Sequence, residues 1–412
     1  MIFNSRFLNC YPIYQEECFM LTNSFFSNSR ILAFVCGVFF LVAGCADQSN
    51  DRTFWSPYQD LNWSEIGHYD SEFHTHPNMG DYGGYDPHQT VDRYHEEGYK
   101  ILTLAEHSSH IPHDHMNTIY PWTELSQIYE RIKDVPHPGR GNRTYEEIHN
   151  EPWQDRDPIE LGMVSVEGNE LSGHHHTISV FNLWSGHVDT EIESFEKITE
   201  LGGFAYFAHP GRYVERRGYT AHWYVDMYLR YDILIGQSVY NREDNHPEDR
   251  AFYDKVQHLL GGAKRPIWLY GEDDMHRENT LGWNRDVILL EDFRPGSMHP
   301  DIPDGSAPDV MEALQNGYSY LWKPSEQYNR RAFNIINVEV DGNRVDLTID
   351  NEELVHEVRW RTHNPNTDET ETVHYGFSIT SANVPEYSLF VRAEIEGEDG
   401  TIYTQPFYMM VE

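Results

Sequence analysis

The run Tyr99-Lys100-Ile101-Leu102-Thr103-Leu104-Ala105-Glu106-His107 decides the fold. Its apolar centre has the length of a buried strand rather than a helix, and it ends in two side chains that can bind protons or metals. The same device recurs on either side. Apolar runs at 100–105, 162–166, 177–183, 204–208, 233–239, 267–270 and 287–290 read as buried strands. Helix-like segments lie between them at 90–97, 124–133, 190–201 with Asp189 placed to cap it, 248–260, and 309–316 before Gly317. Alternation of this kind predicts an α/β fold, a β/α layer or barrel over 67–325. A stretch rich in His, Pro and Gly at about 108–160 interrupts the rhythm, as an insertion at the mouth of a site or as surface decoration.

From Phe333 onward the texture changes to alternating strands separated by Asp341-Gly342-Asn343 and Asp399-Gly400. These turns predict hairpins, and residues 333–412 are expected to form a small C-terminal β-sandwich domain.

The other end of the chain carries an address. Residues 31–42 are almost wholly apolar, follow Arg30 and end in Ala43-Gly44-Cys45, after which the sequence turns polar. That layout predicts a signal peptide over 1–44, with a membrane anchor left uncleaved as the alternative. Leu41-Val42-Ala43-Gly44-Cys45 resembles a bacterial lipobox, which implies lipid attachment at Cys45, export, and anchorage to the cell envelope. Residues 45–66 then read as a polar tether. The other cysteines, Cys10, Cys18 and Cys36, precede Cys45, so the folded body has neither disulfides nor thiolate metal sites.

The 412 residues carry 67 Asp+Glu against 30 Lys+Arg, a net charge of −37. Affinity for phosphate polymers comes from Lys and Arg displacing counterions, so a nucleic-acid-binding role is disfavoured. Disorder is excluded too, because 39% hydrophobic and 14% aromatic residues suffice for a core.

The chemistry sits in the histidines. Of 24, 20 fall between His68 and His276, several directly after a strand-like run. His74 and His76 form an H-x-H pair whose members share a face on extended backbone. Glu106-His107, Glu167, His209 and Asp274-Met275-His276 each follow an apolar run. Parallel β/α folds place functional groups at the carboxyl ends of their strands, so the recurrence predicts a ring of metal ligands at one end of the fold.

In that order the motifs resemble the PHP (polymerase and histidinol phosphatase) family of metal-dependent phosphoesterases. The resemblance covers about 68–325. It rests on Glu72-Phe73-His74-Thr75-His76 with Asp81 following, Leu104-Ala105-Glu106-His107, Ala208-His209-Pro210-Gly211, and Asp274-Met275-His276. It implies a distorted seven-stranded β/α barrel with His74, His76, Asp81, His107, Glu167, His209, Asp274 and His276 around two or three divalent ions, Glu167 bridging. One further histidine comes from His174, His175 and His176; strand parity favours His174 or His176. Glu72 and Glu106 stand where the family has aspartate.

Imidazole and carboxylate ligands without thiolate suit Mn²⁺, Zn²⁺ or Fe²⁺. By the resemblance, these ions turn a bridging water into a hydroxide nucleophile for a small phosphate ester. His209 and His276 could relay protons, and Arg212 is the candidate phosphate contact, ahead of Arg216 and Arg217. Two other functions stay open: a metal-dependent hydrolase of a non-phosphate bond, with Tyr82, Tyr85, Tyr213 or Trp283 against a ring, and a non-catalytic surface lipoprotein that binds metal or glycan.

Overall fold

Every residue of the strands Val164–Val166, Thr177–Val180, Phe204–Phe207, Leu234–Asn241, Trp268–Glu272 and Arg285–Leu290 is buried. Strands covered on both faces need no polar alternation, which is why they appear in the sequence as continuous apolar runs. They belong to a computed structural model that describes residues 52–77, 84–108, 120–137, 141–149, 151–184, 186 and 190–411. The expected signal peptide, Cys45 and Asp81 lie outside the described residues.

Five strands form one sheet in the order Gly168–Leu171, Thr177–Val180, Phe204–Phe207, Leu234–Asn241, Trp268–Glu272, its first two pairings antiparallel and its last two parallel. Gly236 lets the backbones of the last pair approach: a Cβ there would stand 2.1 Å from the carbonyl oxygen of Trp268. A twelve-stranded sheet contains Gly67–Glu72, Ile101–Thr103 and Val164–Val166 in parallel, with Arg285–Leu290 antiparallel to the first of these. With a third sheet of Ile335–Asp341, Arg344–Ile349 and Ser378–Thr380, the described strands form a mixed α/β structure, and no continuous ring closes among them, contrary to the barrel expected from the sequence. Pairing turns antiparallel on both sides of Thr177–Val180 and at Arg285–Leu290, a change of direction that an apolar run does not encode.

The five-stranded and twelve-stranded sheets are joined by isolated bridges, Thr75 with Met275 and His107 with Glu170. Each bridge lies just beyond the carboxyl end of a strand.

The helices Pro87–Glu96, Leu125–Ile132, Glu191–Leu201, Asp249–Leu259 and Ala307–Asn316 stand close to their expected places. The cap of Glu191–Leu201 is Thr190, not Asp189, and its hydroxyl accepts from the Glu193 amide. Gly317 ends Ala307–Asn316 in the left-handed conformation, at φ 75°.

The C-terminal hairpin Ile335–Asp341/Arg344–Ile349 turns at Gly342-Asn343, and Phe390–Gly397/Gly400–Thr404 turns at Glu398-Asp399. Ser319–Pro324 pairs with Gly400–Thr404 as well as with Arg285–Leu290, so one sheet runs across the expected boundary at 325–333. The core follows: Val287, Leu289 and Trp322 pack with Trp360, Ile395 and Ile402. The tether expected at 45–66 is structured from Arg52, where Arg52–Trp55 pairs with Phe407–Val411. Tyr58 is fully buried; its hydroxyl donates to the Ser319 carbonyl at 2.7 Å and accepts from the Gln405 amide at 2.8 Å. Among the described residues, no helix is long and apolar enough to cross a membrane.

Candidate metal centre

The cluster forms where the two bridges join the sheets. At one, the His76 amide donates to the Met275 carbonyl at 2.8 Å and the Met275 amide to the His74 carbonyl at 3.2 Å. At the other, the Glu170 amide donates to the Glu106 carbonyl at 3.1 Å. Each bridge thereby locks two chain segments side by side: His74-Thr75-His76 against Asp274-Met275-His276, and Glu106-His107 against Glu170.

Glu170 stands at the centre and is fully buried. Its Oε1 lies 3.3 Å from His74 Nε2 and 3.6 Å from His209 Nε2, and its Oε2 lies 3.7 Å from His76 Nε2. His107 Nδ1 and His176 Nδ1 are in close contact with the same carboxylate. Asp274 Oδ1 adds contacts of 3.0 Å to His76 Nε2, 3.2 Å to His276 Nδ1 and 3.5 Å to His74 Nε2. The structure therefore brings together His74, His76, His107, His176, His209, Asp274 and His276 around Glu170.

Other candidates go elsewhere. Glu167 is three residues from Glu170 and so on the opposite face of extended backbone; its Oε1 accepts from Ser297 Oγ at 2.5 Å. Glu170, not Glu167, occupies the centre. His175 is enclosed by Tyr213 and Tyr224 and bonds the Tyr224 hydroxyl through Nε2 at 2.5 Å. His174 lies off the cluster, its carbonyl accepting from Arg217 at 2.7 Å. Tyr213 is buried between His175 and the cluster, its ring 4.2 Å from that of His175, 5.5 Å from His176 and 5.9 Å from His209. Arg212 is half-buried on the helix Gly211–Arg217 that follows His209, close enough to His176 to depress its basicity after burial and other neighbours have acted. Arg216 and Arg217 are exposed.

Three supporting residues escaped the sequence. Glu272 Oε2 accepts from His74 Nδ1 at 2.9 Å, which fixes the tautomer and leaves Nε2 to face the cluster. Its other oxygen accepts from the His209 amide at 3.0 Å and from Ser238 Oγ at 3.0 Å. Asn241 links Glu272 and Asp274 at 3.2 and 3.1 Å. Arg242 Nη2 lies 3.0 Å from Asp274 Oδ2 and 3.1 Å from His276 Nδ1. The signal was present: Asn241 and Arg242 end a strand, as Glu272 does, but past the apolar part from which that strand was recognised.

The backbone bends hard here. His209, Asp274 and Arg242 have φ of 29°, 42° and 57°, values that cost a non-glycine residue about 1 kcal/mol or more each. Such conformations persist only where the surroundings hold them.

A divalent ion fits this donor set. Glu170, His74, His76 and His209 are buried, and among the described residues His74 Nε2, His76 Nε2, His209 Nε2 and both Glu170 oxygens lack hydrogen-bond partners. Orphaned polar atoms converging in a dry interior are costly unless something satisfies them. Three-donor sets lie within 4.8 Å of one another as His74/His76/Asp274, His107/Glu170/His176, His76/His107/His276 and His74/His209/Glu272. Burial raises the Glu170 carboxyl, but His176, His107 and His74 outweigh it and hold it well below the usual range. Burial pushes His107 down to about 3. Ionised carboxylate and neutral imidazole are the forms that bind metal. Burial also lowers His76, yet Asp274 and Glu106 hold it up to about 9, so an ion must displace its proton.

No family model matches this chain, and no curated protein does. Among solved structures it is similar to a two-domain protein from Bacteroides vulgatus containing a predicted PHP-like metal-dependent phosphoesterase, at 15% identity and a TM-score of 0.45, over 86% of this chain and 90% of that one. A likeness of that degree decides neither fold nor activity.

Proposed function

We propose that the protein is a metal-dependent hydrolase of the PHP type that acts on a small phosphate ester. The observation that supports this most is the convergence of six imidazoles on Glu170 and Asp274, with His74 Nε2, His76 Nε2, His209 Nε2 and both Glu170 oxygens lacking hydrogen-bond partners among the described residues. The ligands would be His74, His76, His107, Glu170, His176, His209, Asp274 and His276, holding two or three ions of the Mn²⁺, Zn²⁺ or Fe²⁺ class. The chemistry that such ions supply when bound is acidification of water and neutralisation of phosphoryl charge.

The chain's own residues do the rest. Glu272 orients His74 from behind at 2.9 Å, and the Glu106 carboxylate stands 3.8 Å from His76 Nδ1. Arg242 and Arg212 border the cluster and would grip the phosphate, a guanidinium matching two oxygens at once. His276 is more open to solvent than buried His209 and donates Nδ1–H to the Asp274 carbonyl at 2.8 Å. Its Nε2 would then be the nitrogen left to bind an ion, in the set His76/His107/His276. The acidic surface bears little on this chemistry, because charges more than about 8–10 Å away are largely screened at physiological salt.

The lipobox and apolar run support an exported, lipid-anchored protein. Labelling with a fatty-acid analogue tests this, lost on Cys45→Ala. For activity, the EDTA-stripped chain is assayed with p-nitrophenyl phosphate, a diester analogue, nucleotides and sugar phosphates, with and without Mn²⁺ or Zn²⁺. Turnover restored by metal supports the proposal; turnover that survives EDTA removes the metal mechanism, and silence on every phosphate removes the substrate class.

A further inference from the structure

We propose that Glu124, His299 and Asp301 hold a further divalent cation at a site that shares no residue with the centre around Glu170. One donor atom from each lies within 4.8 Å of the other two. His299 is 92% buried by its 8% exposure, and its Nδ1 has no hydrogen-bond partner among the described residues. Its Nε2 faces Glu124 Oε1 at 4.0 Å, too far for a hydrogen bond and suited to two ligands of one ion after a small carboxylate rotation. Neither Glu124 nor Asp301 has a Lys or Arg partner among the described residues, so two carboxylates and one imidazole converge without a cation. The buried imidazole makes no side-chain hydrogen bond among the described residues and turns Nε2, the nitrogen an ion would use, toward Glu124.

The backbone fixes the imidazole in place. Ser297 Oγ donates to Glu167 at 2.5 Å and accepts from the His299 amide at 3.1 Å. The Ile302 amide closes the turn on the His299 carbonyl at 3.0 Å, and the Ser297 amide bonds the Pro303 carbonyl at 3.0 Å. Glu167, expected as a ligand of the main centre, thus supports this second group instead. Glu124 comes from the other side, at the start of the segment containing helix Leu125–Ile132 and anchored by buried Trp122. One histidine, two carboxylates and a water make up a four-coordinate set suited to Zn²⁺. The ion would fasten the inserted segment to the loop after Arg285–Leu290, a structural role separate from any hydrolysis.

The test uses the full chain, stripped with EDTA and titrated with Zn²⁺ alone, bound ions being counted by elemental analysis after gel filtration. Wild type is compared with His299→Ala, with Glu124→Gln/Asp301→Asn, and with His74→Ala/His76→Ala. The first two variants are expected to bind one ion fewer than wild type, or to hold one at least tenfold more weakly, while the His74/His76 variant keeps that ion. If His299→Ala loses its circular dichroism signature, the Glu124/Asp301 variant, whose changes lie nearer the surface, carries the test. Stoichiometry and affinity equal to wild type in Glu124→Gln/Asp301→Asn overturn the site.

Discussion

Glu170→Gln removes one charge at the centre of the cluster while keeping the side chain's shape. Its two oxygens stand 3.3, 3.6 and 3.7 Å from His74, His209 and His76, with His107 and His176 closer still. An amide offers one weak acceptor in place of two charged ones, so each ion sharing Glu170 loses a ligand. Loss of an outer partner of a metal ligand weakens binding about 10–100-fold, and loss of a direct ligand costs at least the upper figure, or more than roughly 2.7 kcal/mol. Glu170→Gln is therefore expected to weaken binding in the main centre at least about 100-fold by calorimetry and to abolish metal-dependent turnover. Glu167→Gln is the control: it should leave affinity at that centre within about threefold, since Glu167 faces Ser297. Wild-type affinity in a folded Glu170→Gln chain, or an equal loss in Glu167→Gln, would refute the assignment.

Three other outcomes are expected. Tyr58→Phe leaves the Ser319 carbonyl and Gln405 amide unpaired in the core, and urea denaturation should show a loss of about 1–3 kcal/mol if residues 52–66 belong to the folded body. Gly236→Ala forces a methyl against the Trp268 carbonyl at 2.1 Å and should cost about 3 kcal/mol or more, read as a lower melting temperature. Burial, helped by Arg331, pulls His68 from 6.5 to about 4. The unfolded chain then takes up a proton below about pH 6.5 that the folded chain refuses until about pH 4, so stability falls through that window by roughly 3 kcal/mol. Melts at pH 4–7 should show this slope in wild type and a shallower one in His68→Leu.

The sequence revealed the ligands that follow directly on an apolar strand, because strand ends and metal-binding side chains are both local signals. His74, His76, His107, His209, Asp274 and His276 were legible on that account. Glu170 was not: the chain turns after Val166 into a second short strand, Gly168–Leu171, and a three-residue offset reverses the face of the side chain. Arg242 and Glu272 lay past the apolar signal. The sheets were legible as strands but not as partners, since the pairing of Ser319–Pro324 with Gly400–Thr404 joins positions about eighty residues apart. Local propensity carries no such information.

The two bridges between the sheets also bear on where the metal is acquired. The segments they align run from His74 to His276, so no short stretch of the unfolded chain carries the full ligand set. Capture of the ion must follow long-range docking of the two sheets and is a late event in folding. For a chain that crosses a membrane before it folds, as proposed here, the metal would be drawn from the far side. The ion supply of that compartment, more than the ligand chemistry alone, would then decide which metal the protein carries.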